Sequence, residues 1–300
     1  MGTSLTRSLT RSLARSLRAH REPFRQAVIA VMFPLTRWVL DKTVYHYITH
    51  RMFGLSPGDG NYAKFKESLY KMLVQVAFTV AIFSHRHKAW FTDPKLCFAD
   101  CMGLPCEEQE TTVSERFIYR LEGAFYFQAI FTLFLWETKR HDRWQIFAHH
   151  VATVILIGYS YYLNLLHIGI LVLACHELND IFLELAKMAR YASLPEWTST
   201  TAFIAFAVSW FVTRLYAFGF VVIRSTWFDT QARAAEAGRI LGLGGPVDIE
   251  PELSTLNGLL IFLYVLHVYW SYLIVQIIIK ALTPGGKLDD IREEEEKKEA

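Results

Sequence analysis

Long apolar runs separated by short charged turns dominate the chain from about residue 68 onward. A helix needs about 20 mostly apolar residues to cross a bilayer. Six stretches qualify: 68–84 extended at its ends, 117–136, 144–163, 165–187, 198–223 and 254–281. None alternates residue by residue as a barrel strand does. A seventh stretch, 26–40, is shorter and interrupted by Pro34 and Arg37, and reaches spanning length only by running on to about Ile48. The pattern predicts an all-α polytopic membrane protein with six or seven spans, and loops at 85–116 and 224–253.

Composition agrees. Of 300 residues, 52% are apolar and only 20% charged, with mean hydropathy +0.21, against about 25% charged in ordinary soluble domains. This excludes a disordered chain, a collagen and a disulfide-rich miniprotein. The charge sits at the ends. Residues 1–25 hold six Arg and one Glu, and residues 285–300 hold seven acids and four bases. The net +2 therefore gives no reason to expect a nucleic-acid partner. Lys and Arg in short loops set orientation. They place 41–68, 137–143, 187–197 and the C-terminus in the cytosol, whereas 85–116 and 224–253 carry more acid than base.

The first 25 residues fit less easily. If 26–48 also spans, their six Arg lie on the lumenal side, against the positive-inside rule. Either that helix lies in the interface, or the basic segment is removed or translocated regardless. Leu5, Leu9, Leu13 and Leu17 recur every four residues and Arg7, Arg11, Arg15 and Arg18 track them. That pattern fits an amphipathic surface helix or an organelle-targeting segment. At the other end Lys297 and Lys298 precede Glu299-Ala300, like a dilysine retrieval signal of endoplasmic-reticulum membrane proteins.

Cys97, Cys101 and Cys106 share one loop. An oxidising compartment favours a disulfide there with one spare thiol; a zinc site with His85 or His87 fits no usual spacing. Cys175 reads as a small apolar residue within a span. Eleven His invite a di-iron reading, but only His149–His150 is adjacent and no HxxHH box exists, so no metal is expected.

Ionisable groups inside a bilayer are costly and mark function. His149 and His150 lie roughly 8–9 Å inside the cytosolic end of 144–163. On the returning helix, His176, Asp180 and Glu184 stand at i, i+4 and i+8 on one face, with Asp180 about 10 Å and His176 about 16 Å deep. The two groups share a leaflet and can form one site for proton or acyl transfer. Imidazole is a base near pH 7 and attacks thioesters, and a carboxylate orients it. The structural alternative is a set of helix–helix hydrogen bonds. Arg214 needs an acid or an anionic ligand, and His267 lies in Leu266-His267-Val268-Tyr269-Trp270.

The run from Trp136 through His149-His150 to Thr153, followed by Gly169-Ile-Leu-Val-Leu, His176-Glu-Leu-Asn-Asp180 and Leu183-Glu184-Leu-Ala-Lys187, resembles the signature of the ceramide synthases, within the TLC-domain family. The likeness is dense over 119–191 and weaker elsewhere. It divides the chain into a basic segment 1–25, a first helix and linker 26–60, a TLC domain 61–283 and an acidic tail 284–300. The resemblance implies an endoplasmic-reticulum protein, a six-helix core around an acyl tunnel, and transfer of a fatty acyl group from acyl-CoA to a sphingoid base. No cofactor beyond that co-substrate is implied, and the partners would be membrane lipid and a homo- or heterodimer mate. It makes His149 the acyl acceptor, with His150, Asp180 and His176 beside it and Asp180 as the partner of His149. Lys139, Arg140 and Arg143 would meet the CoA phosphates, with Glu177, Glu184, Arg214 and His267 near substrate. Two departures stand out: Glu177 occupies a usual Asp position, and Gly219 a common Pro position. If Glu177 must hold a catalytic His, the chain is instead a weak or inactive partner subunit or lipid-binding member.

Overall fold

A computed structural model of the chain describes residues 26–107, 109–138 and 140–283. The basic N-terminal segment, Lys139 and the acidic tail with its lysine pair lie outside the described residues. All regular structure among the described residues is helical. We number the long helices α1 (26–42, prolonged through Val44–Tyr47 and a wide turn at Ile48–Met52), α2 (Gly60–Phe83), α3 (Val113–Leu135), α4 (Arg143–Tyr162), α5 (Leu166–Tyr191), α6 (Glu196–Leu241) and α7 (Glu250–Leu282).

The helix ends follow local chemistry. Asp59 caps α2 by accepting from Asn61 N at 3.2 Å, so α2 starts well before its apolar run. Thr112 and Glu115 form a reciprocal capping box at the start of α3. The expected loop at 224–253 is a correction: α6 continues unbroken to Leu241. Its wide-turn winding over Phe211–Ile223 and Ser225–Asp229 passes into an Ala-rich α-helical stretch. Ala is the strongest helix former, and the helix stops only where Gly242 adopts a left-handed φ of +68°.

α5, α6 and α7 are long and apolar enough to cross a membrane. The helices α2, α3 and α4, of 24, 23 and 20 residues, have spanning length but carry more polar groups. Several of those groups turn inward: Glu67, Glu122 and His149 are buried. The outer faces carry Val80, Phe131, Ile155, Val208, Phe220 and Val265, each half-exposed or more. Apolar surface on that scale belongs against lipid in a multi-pass membrane protein. α5 is the central element, with 67% of its apolar window buried against 33% and 28% for α6 and α7. It packs chiefly against α2 and α6.

Two glycines permit close approaches. Gly169 on α5 lies against the Tyr119 hydroxyl, where any Cβ would collide. Gly219, at the departing position in α6, lies where a Cβ would fall 2.6 Å from the Tyr264 ring of α7. A glycine here lets α7 close on α6.

One end of the bundle is strapped by the loop 94–109. Its Cys101 and Cys106 form a disulfide, leaving Cys97 as the spare buried thiol. The disulfide takes two of the three thiols that the zinc alternative would use. His85 and His87 instead turn a ring nitrogen to the backbone carbonyls of Ala81 and Ser84.

Candidate functional site

Four histidines from three helices converge in the middle of the bundle. The His149 ring of α4 lies 5.7 Å from His150, 6.1 Å from His176 of α5 and 6.3 Å from His267 of α7, between ring centroids. His176 and His267 are 5.0 Å apart. His149 and His176 are nearly parallel, at 24°. Trp270 meets His149 edge-on at 5.6 Å, and its indole N–H donates to Asp142 at 3.1 Å. That bond ties α7 to the start of α4. Tyr126 of α3 packs on both His149 and His150.

The tautomer of His176 follows from its neighbour. Its Nδ1 lies 2.6 Å from the Val172 carbonyl oxygen, which can only accept. The proton is therefore on Nδ1, and the neutral ring directs its lone pair through Nε2. That Nε2 is buried and has no hydrogen-bond partner among the described residues, and neither do Nδ1 of His149, His150 and His267. Buried polar atoms are usually satisfied. These nitrogens form no hydrogen bonds from helix to helix, so their lone pairs and protons are not taken up by the packing of the bundle.

Arg214 organises the other side. One guanidinium nitrogen donates to Asp180 Oδ1 at 2.6 Å and to the His176 carbonyl at 3.0 Å; the other lies 3.3 Å from His267 Nε2. Arg214 is buried, and its charge needs this acid. Asp180, expected beside His149, instead accepts from Arg214, which also contacts the His176 carbonyl and the His267 ring.

Glu177 is also placed unexpectedly. Its Oε1 accepts from Tyr126 Oη at 3.2 Å, across the bundle, and its partner is not a histidine. The extra methylene relative to Asp thus reaches α3 and leaves the histidines untouched. Glu122 on α3 is fully buried, and neither of its carboxylate oxygens has a partner among the described residues. Sequence reading missed Glu122 and Tyr126. Glu122 could have been found, because it is an acid inside an apolar run; Tyr126 looked like any aromatic in a span.

A cavity of about 260 Å³ runs from this cluster to the end of the bundle that holds Glu137, Thr138, Arg140 and Arg143. His149, His150, Asp180, Arg214 and Trp270 form its inner wall. Its mouth carries Lys71, Arg140, Arg143, Lys187 and Arg190, together with Glu137 and Glu184. Glu184 accepts from Lys187 at 2.8 Å, Arg140 lies 3.5 Å from Glu67, and Arg143 lies over the Phe134 ring. Glu184, Arg140 and Arg143 thus belong to the mouth and not to the histidine cluster. A second, narrower and almost wholly apolar cavity of about 40 Å³ lies beyond, toward the disulfide loop. Tyr126 lines both cavities, and His176 faces the second. A polar-mouthed cavity, a ring of imidazoles at mid-depth and an apolar continuation can receive an amphiphile head-out and act on its junction.

The likeness seen in the sequence is independently matched. The TLC-domain family profile covers residues 64–276. The chain belongs to the TLC-domain family of membrane proteins. Its near-full-length relatives include ceramide synthase LOH2 of Arabidopsis thaliana, 34% identical over 281 residues, which cover 88% of each chain. Ceramide synthase 1 LOH3 of the same plant is 30% identical over 90% of this chain and 89% of its own. ASC1-like protein 1 of Oryza sativa subsp. japonica is 31% identical over 93% and 91%.

Proposed function

We propose that the protein is a ceramide synthase, which moves a fatty acyl group from acyl-CoA to the amine of a sphingoid base. The observation that carries this is the cluster of unsatisfied histidines between a cation-rich mouth and an apolar interior. The names of the near-full-length relatives support the same reading. We further assign the protein to the endoplasmic-reticulum membrane with the cavity mouth and C-terminus in the cytosol, where acyl-CoA is found. The positive-inside pattern supports that orientation.

The residues divide the work in two half-reactions. In the first, an imidazole nitrogen of His149 attacks the thioester carbonyl. The N–C bond forms, the C–S bond breaks, and the proton of the imidazole leaves with the sulfur as CoA thiol. In the second, the sphingoid ammonium loses one proton to His176 Nε2, the nitrogen left basic by the Val172 contact. The free amine attacks the acyl-imidazole. The C–N amide bond forms, the bond to His149 breaks, and the amine's second proton restores His149. Asp180 and Arg214 are positioning residues: they hold α5, α6 and α7 in register around His176 and His267. Arg140 and Arg143 meet the CoA phosphates at the mouth, with Lys139 their neighbour in sequence, and no cofactor enters the reaction.

The test is acylation of sphinganine by microsomes from cells lacking their own ceramide synthases. Wild type forms product from a panel of acyl-CoAs, and His149→Ala at equal protein level loses at least a hundredfold. Well-expressed wild type without product, rescued by Glu177→Asp, would instead support the partner-subunit reading.

A further inference from the structure

The apolar cavity beyond the histidines has a floor, and one side chain dominates it. Along α5 the cavity wall runs from His176 to Leu165, eleven residues or about 16 Å; along α7 it runs from Leu263 to Leu253, ten residues or about 15 Å. At the far end Phe98 closes it, 2% exposed, between Leu165, Thr230 and Leu253. Phe98 belongs to no long helix. It ends the short turn Pro94–Phe98 in the loop that straps the bundle.

That loop is held from three directions. The Cys106 N–H donates to the Leu163 carbonyl at 2.9 Å, and the Asn164 side-chain amide donates to the Cys106 and Gln109 carbonyls at 2.7 and 3.0 Å. Those bonds fix it to the turn between α4 and α5. Arg233 of α6 donates to the Cys101 carbonyl at 3.0 Å, and Gln109 closes back on the Cys97 carbonyl at 2.6 Å. The Cys101–Cys106 disulfide joins the two sides of the loop. The floor is thus braced, while most of the wall is Leu, Ile and Val side chains that can change rotamer to admit a chain.

We propose that Phe98 sets the longest acyl chain the protein accepts, with the strapped loop as its fixed mount. This rests on the ceramide synthase reading and adds the residue that measures the chain. An extended chain advances about 1.2 Å per bond, so about 15–16 Å holds about 12–13 bonds between the histidine layer and Phe98. The protein therefore selects long-chain over very-long-chain acyl groups. Removing the ring lengthens the space by about two to four carbons.

The experiment gives wild type, Phe98→Ala and Phe98→Trp an equimolar mixture of acyl-CoAs from C14 to C26, with sphinganine, and reads the products by mass spectrometry. Ile82→Ala, buried in α2 away from the lining of both cavities, controls for general loosening. The expected result is a rise of at least tenfold in the C22-to-C16 product ratio for Phe98→Ala, a fall for Phe98→Trp, and little change for Ile82→Ala. Unchanged ratios in both Phe98 variants overturn the proposal while leaving the ceramide synthase reading intact. An equal shift in Ile82→Ala overturns it too. If Phe98→Ala does not accumulate, the Phe98→Trp ratio alone decides. A wild type silent on every acyl-CoA removes the ceramide synthase reading itself, and the gauge with it.

Discussion

Arg214 should contribute strongly to the fold, and its contribution should depend on Asp180. The pair meets at 2.6 Å, with the Arg214 side chain 4% and the Asp180 side chain 23% exposed. Removing one member of a fully buried pair costs about 3–5 kcal/mol, because the other is stranded. Asp180 faces the cavity, so screening lowers this to about 2–3 kcal/mol. At about 2–4 °C per kcal/mol, Arg214→Met lowers the melting temperature by about 4–12 °C. Asp180→Asn, which leaves Arg214 without its acid, costs a similar amount. The double variant strands neither charge and recovers part of the loss, so the double-mutant cycle gives a coupling of about 1–2 kcal/mol. Arg214→Lys falls between, since one ammonium cannot serve both the carboxylate and the His176 carbonyl as the guanidinium fork does. The assay is tryptophan-fluorescence melting of the detergent-purified protein, which reads stability whether or not a variant turns over. Additivity within about 0.5 kcal/mol would refute the reasoning, since it would mean that the two groups do not depend on each other.

Other consequences are more local. His176→Gln should slow transfer to the amine by roughly a hundredfold or more while acyl loading of His149 proceeds, because it removes a base and not the nucleophile; single-turnover loading and release rates separate the two. Gly219→Ala should destabilise the protein by about 1–3 kcal/mol, as overpacking does, and Tyr264→Leu should relieve it, seen in the same melting assay. Burial, with the Asp93 charge second, pushes the Cys97 thiol above its ordinary pKa, and it is fully enclosed. Maleimide should therefore leave Cys97 unlabelled in the folded protein and label it once the protein is unfolded, which mass spectrometry of the labelled peptides reads.

The helices and the meeting of His149 with His176 were legible because both follow from spacing. Apolar runs of spanning length set the elements, and equal depth on antiparallel neighbours set the encounter. What stayed hidden depended on the third dimension. The partner of Asp180 comes from α6, and no spacing within α4 and α5 could distinguish Arg214 from His149 as its mate. Glu177 differs from Asp by one methylene, and its reach to Tyr126 appears only once α3 lies beside α5. The extension of α6 was missed for another reason. Its last turns are Ala-rich and polar, so a hydropathy pattern ends where the helix does not. Residues 1–25, Lys139 and 284–300 are not among the described residues, so the basic segment, the loop cation and the dilysine end stand as sequence expectations.

In the proposed reaction His149 carries the acyl group between two half-reactions. The most direct measurement is the intact mass of the purified protein after incubation with palmitoyl-CoA and no sphingoid base. One added acyl mass is expected on wild type, none on His149→Ala, and it should disappear with matching ceramide formation when sphinganine is added. An adduct that persists in His149→Ala, or a wild type that makes ceramide but never carries the acyl mass on any timescale sampled, would contradict that role of His149.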